Sequence, residues 1–435
     1  MQETLTKKTT QKRYDAYKDS GVKWLGEIPK HWEVRRLKYF GEAIIGLTYN
    51  PSEMTDAKNK NGILVFRSSN VQNGEITYDD CVYVTTKVSE KKITQKGDIL
   101  ICSRNGSIRL IGKNALIDEK SSNQTFGAFM TIFRSENYKY LTYFFNSACF
   151  KAQSGSFFTS TINQLTTGIL NELLVATPKS LSEQVAITKF LDKKCEEIGL
   201  AISKKEELIT LLKERKQILI QDAVTKGLDP KVTLKDSGIE WVGAIPEHWE
   251  VKKLKYLLTL KSIKTLSKKS ELNYLGMENI ESWTGKHIPT NSETDGLANC
   301  FNEGDILFGK LRPYLAKVYL AKDKGICSTE FLVYSIKKQD EKYFHKVMLS
   351  YLFINLIDAS TYGSKMPRAN SDWIGNQLIP LPPLSEQKEI AAHIEIESSK
   401  IEEAISLQHQ QIANLKEYKA TLINSAVTGK IKVCE

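Results

Sequence analysis

A long amphipathic segment occurs twice in this chain, and it limits the possible folds more than any other feature. The first copy runs from Leu181 to Thr225 and the second from Leu384 to Thr428. Both begin with Leu-Ser-Glu-Gln and end with Ala-Val-Thr, and the two copies are offset by 203 residues at both ends. Neither copy has gained or lost a residue relative to the other, which indicates two α-helices of matched length.

Apolar residues in both copies recur in alternating steps of four and three, which is the rhythm of a heptad coiled-coil seam. Such a stripe is unfavourable in water, so the two helices are predicted to pair along their length. The predicted seam of the first helix, with equivalents 203 residues later in the second, comprises Ile187, Leu191, Lys194, Ile198, Ala201, Lys205, Leu208, Leu212, Arg215 and Leu219.

A second motif is repeated ahead of each helix. Residues 19–34 and 236–251, here called the opening motifs, share Asp-Ser-Gly, a Trp, a Gly, Ile-Pro and His-Trp-Glu-Val in the same order. The chain is therefore a tandem duplication. The tryptophans, glycines and prolines are predicted to be structural. The same role is predicted for His31 and His248, because no catalytic constellation of Ser, Cys or carboxylates is repeated beside them.

The two regions between these motifs have diverged, but both are rich in strand-forming residues. Short β-branched and aromatic runs, such as 63–66, 130–133 and 331–334, are broken by Gly, Asn and Ser turns. The predicted fold class is α+β, with two mostly β domains separated by the two long helices. The predicted boundaries are a first β-rich domain at 1–180, a helix at 181–228, a second β-rich domain at 229–383 and a second helix at 384–435.

The formal net charge of +10 is unevenly distributed. Residues 182–226 carry nine Lys and Arg against eight Asp and Glu, and residues 385–430 carry five against seven. The positive excess therefore lies outside the helices, which favours a polyanionic partner bound by the β-rich domains. Seven scattered cysteines without a Cys-x-x-Cys pair suit a reducing cytosol. With no apolar run that could span a membrane and no signal peptide, the expected location is cytoplasmic, without a membrane partner.

Polar loops in the diverged regions supply candidate contacts with nucleic acid. Gly-Asp-Ile-Leu occurs in both halves, at 97–100 and 304–307, and different polar residues follow it in each. Arg, Lys, Asn and Ser side chains can reach phosphates and base edges. Including a shared asparagine in each half and a polar segment near the end of each domain, the candidate DNA-binding residues are Asn70, Arg104, Asn105, Ser107, Arg109, Thr159, Asn163, Asn279, Lys310, Arg312, Tyr314, Lys365, Arg368 and Asn370.

The paired helices and opening motifs resemble the specificity subunit of type I restriction–modification enzymes, over nearly the whole chain. The resemblance implies two target-recognition domains, each reading one half of a bipartite site in double-stranded DNA. It also implies that the helices form an antiparallel coiled coil, which sets the distance between half-sites and docks two methyltransferase subunits. S-adenosylmethionine is then expected in the methyltransferase partner. ATP and Mg²⁺ are expected in a restriction and translocase partner where one is present.

The chain itself is predicted to be non-catalytic, without catalytic, cofactor-binding or metal-binding residues. It contains neither the Gly-rich loop and Asn-Pro-Pro-Tyr-type site of a methyltransferase nor the Gly-x4-Gly-Lys-(Ser/Thr) loop of a nucleotide-driven motor. The alternative is an interaction scaffold, in which the helices hold two domains that bind proteins or sugars. A salt-dependent shift of DNA mobility would distinguish the two.

Overall fold

The computed structural model describes residues 12–157, 164–290, 295–361, 363 and 365–433, in two compact units. The first unit consists of residues 1–204 and 410–435, and the second of residues 205–409. Each unit contains one β-rich domain, the first part of one long helix and the last part of the other. The compact units divide both long helices, between residues 204 and 205 and between residues 409 and 410. The domain boundaries drawn from the sequence stay a prediction.

In its described residues, the first half of the chain has short strands, short helices and one long helix, which follows the last strand. Its strands are β1 (Tyr17–Asp19), β2 (Glu27–Pro29), β3 (Trp32–Arg36), β4 (Glu42–Ile45), β5 (Met54–Thr55), β6 (Ile63–Phe66), β7 (Val71–Gln72), β8 (Glu75–Ile76), β9 (Val82–Val84), β10 (Ile99–Cys102), β11 (Asn114–Leu116), β12 (Thr125–Phe126), β13 (Met130–Arg134) and β14 (Leu174–Pro178). Its helices are α1 (Tyr138–Phe145), α2 (Ala148–Gly155), α3 (Thr167–Glu172) and α4 (Leu181–Lys226).

The second half repeats this order with small changes. Its strands are β15 (Leu234–Asp236), β16 (Ala244–Pro246), β17 (Glu250–Lys253), β18 (Leu258–Lys261), β19 (Lys264–Leu266), β20 (Tyr274–Leu275), β21 (Leu297–Phe301), β22 (Ile306–Gly309), β23 (Val318–Leu320), β24 (Gly325–Ser328), β25 (Phe331–Ile336) and β26 (Leu378–Leu381). Its helices are α5 (Leu254–Leu257), α6 (Glu341–Leu349), α7 (Tyr351–Ala359), α8 (Ser371–Gly375) and α9 (Leu384–Val427).

A four-stranded antiparallel sheet lies at the centre of each β-rich domain, and the two sheets have the same strand order. The order is β11-β10-β13-β4 in the first half and β23-β22-β25-β18 in the second. The strands that follow Gly-Asp, β10 and β22, lie inside these sheets and are buried throughout. The duplication therefore extends through the region where the sequences have diverged.

A second sheet in each domain differs in topology between the halves. Both contain a parallel pair, β6 with β12 and β20 with β24, and both contain an antiparallel pair, β5 with β9 and β19 with β21. The antiparallel pair joins β6 in the first half but β24, the counterpart of β12, in the second. The two domains thus share a central sheet and differ in how the outer sheet is assembled.

The aspartate of each Gly-Asp-Ile-Leu sequence forms a buried ion pair at the start of its strand. Asp98 accepts from Arg134 Nε at 2.8 Å and Nη2 at 2.7 Å, and these hydrogen bonds raise the pKa of the guanidinium. Asp305 accepts from Lys261 Nζ at 2.5 Å. Both carboxylates are almost fully buried. Removing a carboxylate from water costs several kcal/mol, and the attraction of the paired cation offsets this cost.

The two repeated motifs contact each other at the start of each long helix. Trp32 is fully buried, and its Nε1 donates to Glu183 Oε1 at 3.0 Å, while His31 Nε2 lies 2.9 Å from Glu183 Oε2. The second half repeats the same contacts at 3.0 and 2.8 Å with Trp249, His248 and Glu386. The glutamate of Leu-Ser-Glu-Gln is thus held by the His-Trp of the opening motif. These contacts support the prediction that both histidines are structural.

The end of each long helix is fixed by a buried tyrosine. Tyr140 Oη donates to Ala176 O at 2.8 Å and to Val427 O at 3.1 Å. Tyr343 Oη donates to Pro380 O and Val224 O, both at 3.3 Å. Burial raises the pKa of both tyrosines well above its ordinary value, so the hydroxyls stay protonated and can donate.

The two long helices pack antiparallel within each unit. In the first unit, Ile187 and Leu191 from the start of α4 share a hydrophobic cluster with Leu422 and Ala426 from the end of α9. In the second unit, the end of α4 shares a cluster with the start of α9, through Ile220, Val224, Ile390 and Ile394. Lys205 Nζ also donates to Gln408 Oε1 at 3.1 Å, so two positions related by the offset of 203 residues meet. The predicted pairing is confirmed.

The period of the buried stripe is 11 residues, and the predicted heptad seam is wrong over its second part. Leu208 is 41% exposed and Arg215 is also exposed, whereas the next residues, Ile209 and Lys216, are buried. An 11-residue period has 3.67 residues per turn, close to the 3.6 of an undistorted α-helix, so the stripe stays on one face without underwinding. The buried isoleucines spaced by 11 residues are Ile187, Ile198, Ile209 and Ile220 in α4, and Ile390, Ile401, Ile412 and Ile423 in α9.

Candidate nucleic-acid interface

The loop that follows β10 meets the segment before α3 and the turn before β13. The backbone amides of Ser103 and Arg104 both donate to Phe129 O at 3.0 Å, and Leu165 N donates to Ser103 O at 2.8 Å. Arg104 Nη2 donates to Gln164 Oε1 at 2.8 Å, and its guanidinium lies 5.6 Å from the centre of the Phe129 ring, which is 57% exposed. Arg104, Phe129 and Gln164 are called the first-half reader cluster.

The second half brings the same three segments together through two equivalent backbone contacts. Lys310 N donates to Glu330 O at 2.9 Å, and Ala369 N donates to Lys310 O at 2.9 Å. Arg368 donates from Nε and Nη2 to the two Glu330 oxygens, both at 3.0 Å. These bonds raise the pKa of Arg368, so its guanidinium stays protonated. Leu311, Glu330 and Arg368 are called the second-half reader cluster.

The backbone contacts relate the members of the two clusters position by position. An isolated β-bridge joins Arg104 to Gln164 in the first half and Leu311 to Arg368 in the second. Phe129 and Glu330 each accept the loop amide and immediately precede the neighbouring strand. In the first half the arginine of the bridge is Arg104, in the loop after β10. In the second half it is Arg368, in the segment before α8. One backbone frame therefore presents two different sets of donors and acceptors.

Several of the remaining predicted residues lie in the loops that follow β10 and β22 and in the segment before α8. Ser107, Arg109, Tyr314 and Lys365 are exposed, whereas Lys310 is half-buried. The half-buried Asn105 donates from Nδ2 to Ser68 Oγ at 3.1 Å and accepts at Oδ1 from Ser107 N at 3.0 Å.

Backbone strain marks the loop after β22. Arg312, with φ +52°, and Ala316, with φ +47°, lie on either side of a 3-10 turn, and both have left-handed backbone conformations. The side chain of Arg312 is exposed. For residues with a Cβ this conformation costs on the order of 1–3 kcal/mol and is commonly found at functional sites.

Two predicted contacts are corrected by the structure. Asn70 and Asn279 are almost fully buried, each at the end of a 3-10 turn. The Oδ1 atoms accept from Arg67 N at 2.9 Å and Gly276 N at 2.7 Å, and the Nδ2 groups donate to backbone or threonine oxygens further along the chain. Both side chains stabilise turns and are not presented to a ligand.

Asn370 is the N-cap of α8, and its Oδ1 accepts from Asp372 N at 2.8 Å and Trp373 N at 3.1 Å. Only the Nδ2 group of its side chain is then available to contact DNA. Thr159 and Asn163 lie outside the described residues. Phe129 and Glu330 were not predicted as contacts, whereas Gln164 directly follows the candidate Asn163 in the polar segment near the end of the first domain. The signal for Phe129 and Glu330 was their position directly before the aligned strands at 130 and 331.

In the part of the chain that the structure describes, no group of three or more His, Cys, Asp or Glu could hold a metal ion. All the cysteines described are free thiols. Among the described helices, none combines the length and apolar character needed to cross a bilayer.

Comparison with known proteins agrees with the duplicated architecture. The family model for the type I restriction modification DNA specificity domain matches residues 29–210 and 246–417. The Escherichia coli type I restriction enzyme EcoDI specificity subunit is 28% identical over 54% of this chain, and the match spans 57% of that protein. A putative type I restriction enzyme MjaX specificity subunit from Methanocaldococcus jannaschii is 28% identical over 96% of this chain and 98% of its own length.

A solved structure has the same fold. A chain from work on complex assembly and conformational transition of the type I R-M system superposes with a TM-score of 0.65, covering 92% of this chain and 98% of its own length at 14% identity. The two matches of the family model together cover most of the chain, one in each half. The chain therefore belongs to the type I restriction modification DNA specificity domain family and contains that domain twice.

Proposed function

We propose that this chain is the sequence-recognition subunit of a type I restriction–modification complex, in which each half reads one half of an asymmetric, bipartite DNA site. The observation that carries the proposal is the pair of reader clusters. Equivalent positions on one backbone frame hold Arg104, Phe129 and Gln164 in the first half and Leu311, Glu330 and Arg368 in the second. Different side chains on the same frame are expected to select different base pairs.

The chemistry of both clusters suits the major groove of DNA. An arginine fork can bond to O6 and N7 of guanine, a glutamine can bond to adenine, and an aromatic ring can contact the thymine methyl group. Glutamate can accept from the amino group of cytosine, and here it also holds the fork of Arg368 in one orientation. The positive charge outside the long helices suits the phosphates on either side of the groove.

Partners follow from the absence of catalytic motifs and from the repeat. Two methyltransferase subunits are proposed to dock on the paired helices, one for each half, and to supply S-adenosylmethionine and the methyl-transfer chemistry. A base inside a duplex must leave the stack before it can be modified, so the methyltransferase is expected to extrude its target base. Restriction and translocation subunits using ATP and Mg²⁺ are further partners where they are present.

A DNA mobility assay tests the proposal against the scaffold alternative. The chain is co-expressed with a type I methyltransferase, and the purified complex is mixed with duplex DNA at several salt concentrations. We expect a mobility shift that weakens steeply as salt rises, because phosphate contacts release counterions. The methyltransferase alone is the control. A complex that assembles but shifts no duplex at low salt would favour the scaffold and contradict the proposal.

A further inference from the structure

The last residues of each opening motif continue into an exposed basic and aromatic surface that is also repeated. In the first half, Trp32-Glu33-Val34 is followed by Arg35-Arg36-Leu37-Lys38-Tyr39, and in the second half Trp249-Glu250-Val251 is followed by Lys252-Lys253-Leu254-Lys255-Tyr256. The first-half patch consists of Arg35, Arg36, Lys38 and Tyr39, and the second-half patch consists of Lys252, Lys253, Lys255 and Tyr256.

The backbone of the two patches is nearly identical. Leu37 and Leu254 are fully buried, and their amides donate to Leu173 O at 2.7 Å and Gln377 O at 2.9 Å. The residue before the buried leucine has φ −69° and ψ 144° in the first half, and φ −69° and ψ 138° in the second. One buried leucine thus anchors each turn and directs its neighbours outward.

Burial does not explain why the outward side chains are repeated. All six cations are exposed, and the tyrosine rings are 61% exposed at Tyr39 and 73% exposed at Tyr256. Cations lie over both rings, with Lys38 Nζ 5.6 Å from the ring centre of Tyr39 and Lys255 Nζ 5.5 Å from that of Tyr256. Buried residues would be kept for packing, but exposed residues that recur indicate a ligand shared by both halves.

The charge of the patches is positive after nearby acids are counted. In the first half, Arg36 Nε and Lys38 Nζ lie 3.1 and 3.2 Å from Glu172, and Arg35 lies 3.8 Å from Glu33. In the second half, Lys252 pairs with Glu250, and the counterpart of Glu172 is the neutral Asn376. The second-half patch therefore has the larger positive excess.

We propose that these two patches bind the phosphate backbone of the DNA, one patch for each half-site. This inference rests on the proposed function. The reader clusters differ between the halves because the bases differ, whereas phosphates are the same at every sequence and call for the same side chains. Lysine is a common phosphate ligand but is depleted at protein–protein interfaces, so the three lysines of the second-half patch favour DNA over a methyltransferase surface.

The test uses the complete chain in complex with its methyltransferase and a double variant, Lys253→Ala with Lys255→Ala. Duplexes with and without the sequence modified by the wild-type complex are titrated between 50 and 200 mM salt. If two phosphate contacts are lost, the slope of log K against log salt becomes shallower by about 1.8, so the fall in affinity across this range becomes roughly 12-fold smaller. The ratio of affinities for the two duplexes should stay as in the wild type.

The matched control is Lys322→Ala with Lys324→Ala, which removes the same charge from exposed positions between β23 and β24. It should leave the slope nearly unchanged. An unchanged slope in the Lys253/Lys255 variant would overturn the inference, and so would a smaller ratio of affinities for the two duplexes. Loss of assembly with the methyltransferase would identify the patch as a protein-docking surface instead. If the wild-type complex binds neither duplex, the proposed function itself fails.

Discussion

Replacing Arg134 by methionine is expected to destabilise the first unit by about 3–5 kcal/mol, the range for a buried ion pair that loses one partner. The variant leaves Asp98, which is 1% exposed, without the cation that donates two hydrogen bonds to it. Asp98 lies directly before β10, in the central sheet that supports the first-half reader cluster. Faster hydrogen exchange should appear across β10 and β13, and the urea midpoint of that unit should fall.

The control for this variant is Lys91→Met. Lys91 Nζ lies 3.3 Å from Glu42 in the same unit, but both side chains are exposed. Exposed pairs contribute about 0–1 kcal/mol, so this change should be close to neutral. If the Arg134 and Lys91 variants lost similar stability, the ion pair would not be an important support of the central sheet.

Replacing Arg368 by alanine is expected to weaken binding to the recognised sequence by about 1–3 kcal/mol, or roughly 5- to 150-fold, if its fork bonds to a guanine. Glu330 already holds this fork in one orientation, so little further ordering is needed when DNA binds. The measurement is a titration of the methyltransferase complex against duplexes that carry each base pair in turn at every position of the second half-site. Preference should relax at one position only.

Arg368→Lys is the matched control because it keeps the charge and removes the fork. A base contact predicts that lysine restores little of the affinity, whereas a phosphate contact predicts that it restores most. A uniform loss with a shallower salt slope would place Arg368 on the backbone. Unchanged affinity and unchanged preference would exclude it from the interface.

The overall arrangement of the fold could be predicted because the sequence contains internal repeats. Two helices of equal length and two opening motifs indicated a duplicated chain with paired helices, and the structure has both. The heptad prediction failed from Leu208 onward because apolar residues such as Leu208 and Leu219 also fit steps of four and three. Over about six turns the small difference between 3.5 and 3.67 residues per turn moves the buried stripe by one residue.

The outer sheets and reader clusters could not be predicted because they depend on contacts that are distant in sequence. The pairing of β6 with β12 joins residues 65 and 125, and Arg104 meets Gln164 across a similar separation. Asn70 was assigned to DNA because asparagine suits both base contacts and turns. Only its burial and hydrogen bonds distinguish the two roles. The role of Glu330 could be interpreted only from its hydrogen bonds with Arg368, which lies 38 residues later in the chain.

The central claim, that each half reads its own half-site, is tested most directly by exchanging one domain. Residues 41–180 are replaced by the matching region of a relative with a different recognition sequence, and the chimera is expressed with the methyltransferase. Modified bases are then mapped across the host DNA. The account predicts that one half-site takes the sequence of the relative while the other stays as in the wild type. A chimera that remains active and changes both half-sites, or neither, would contradict it.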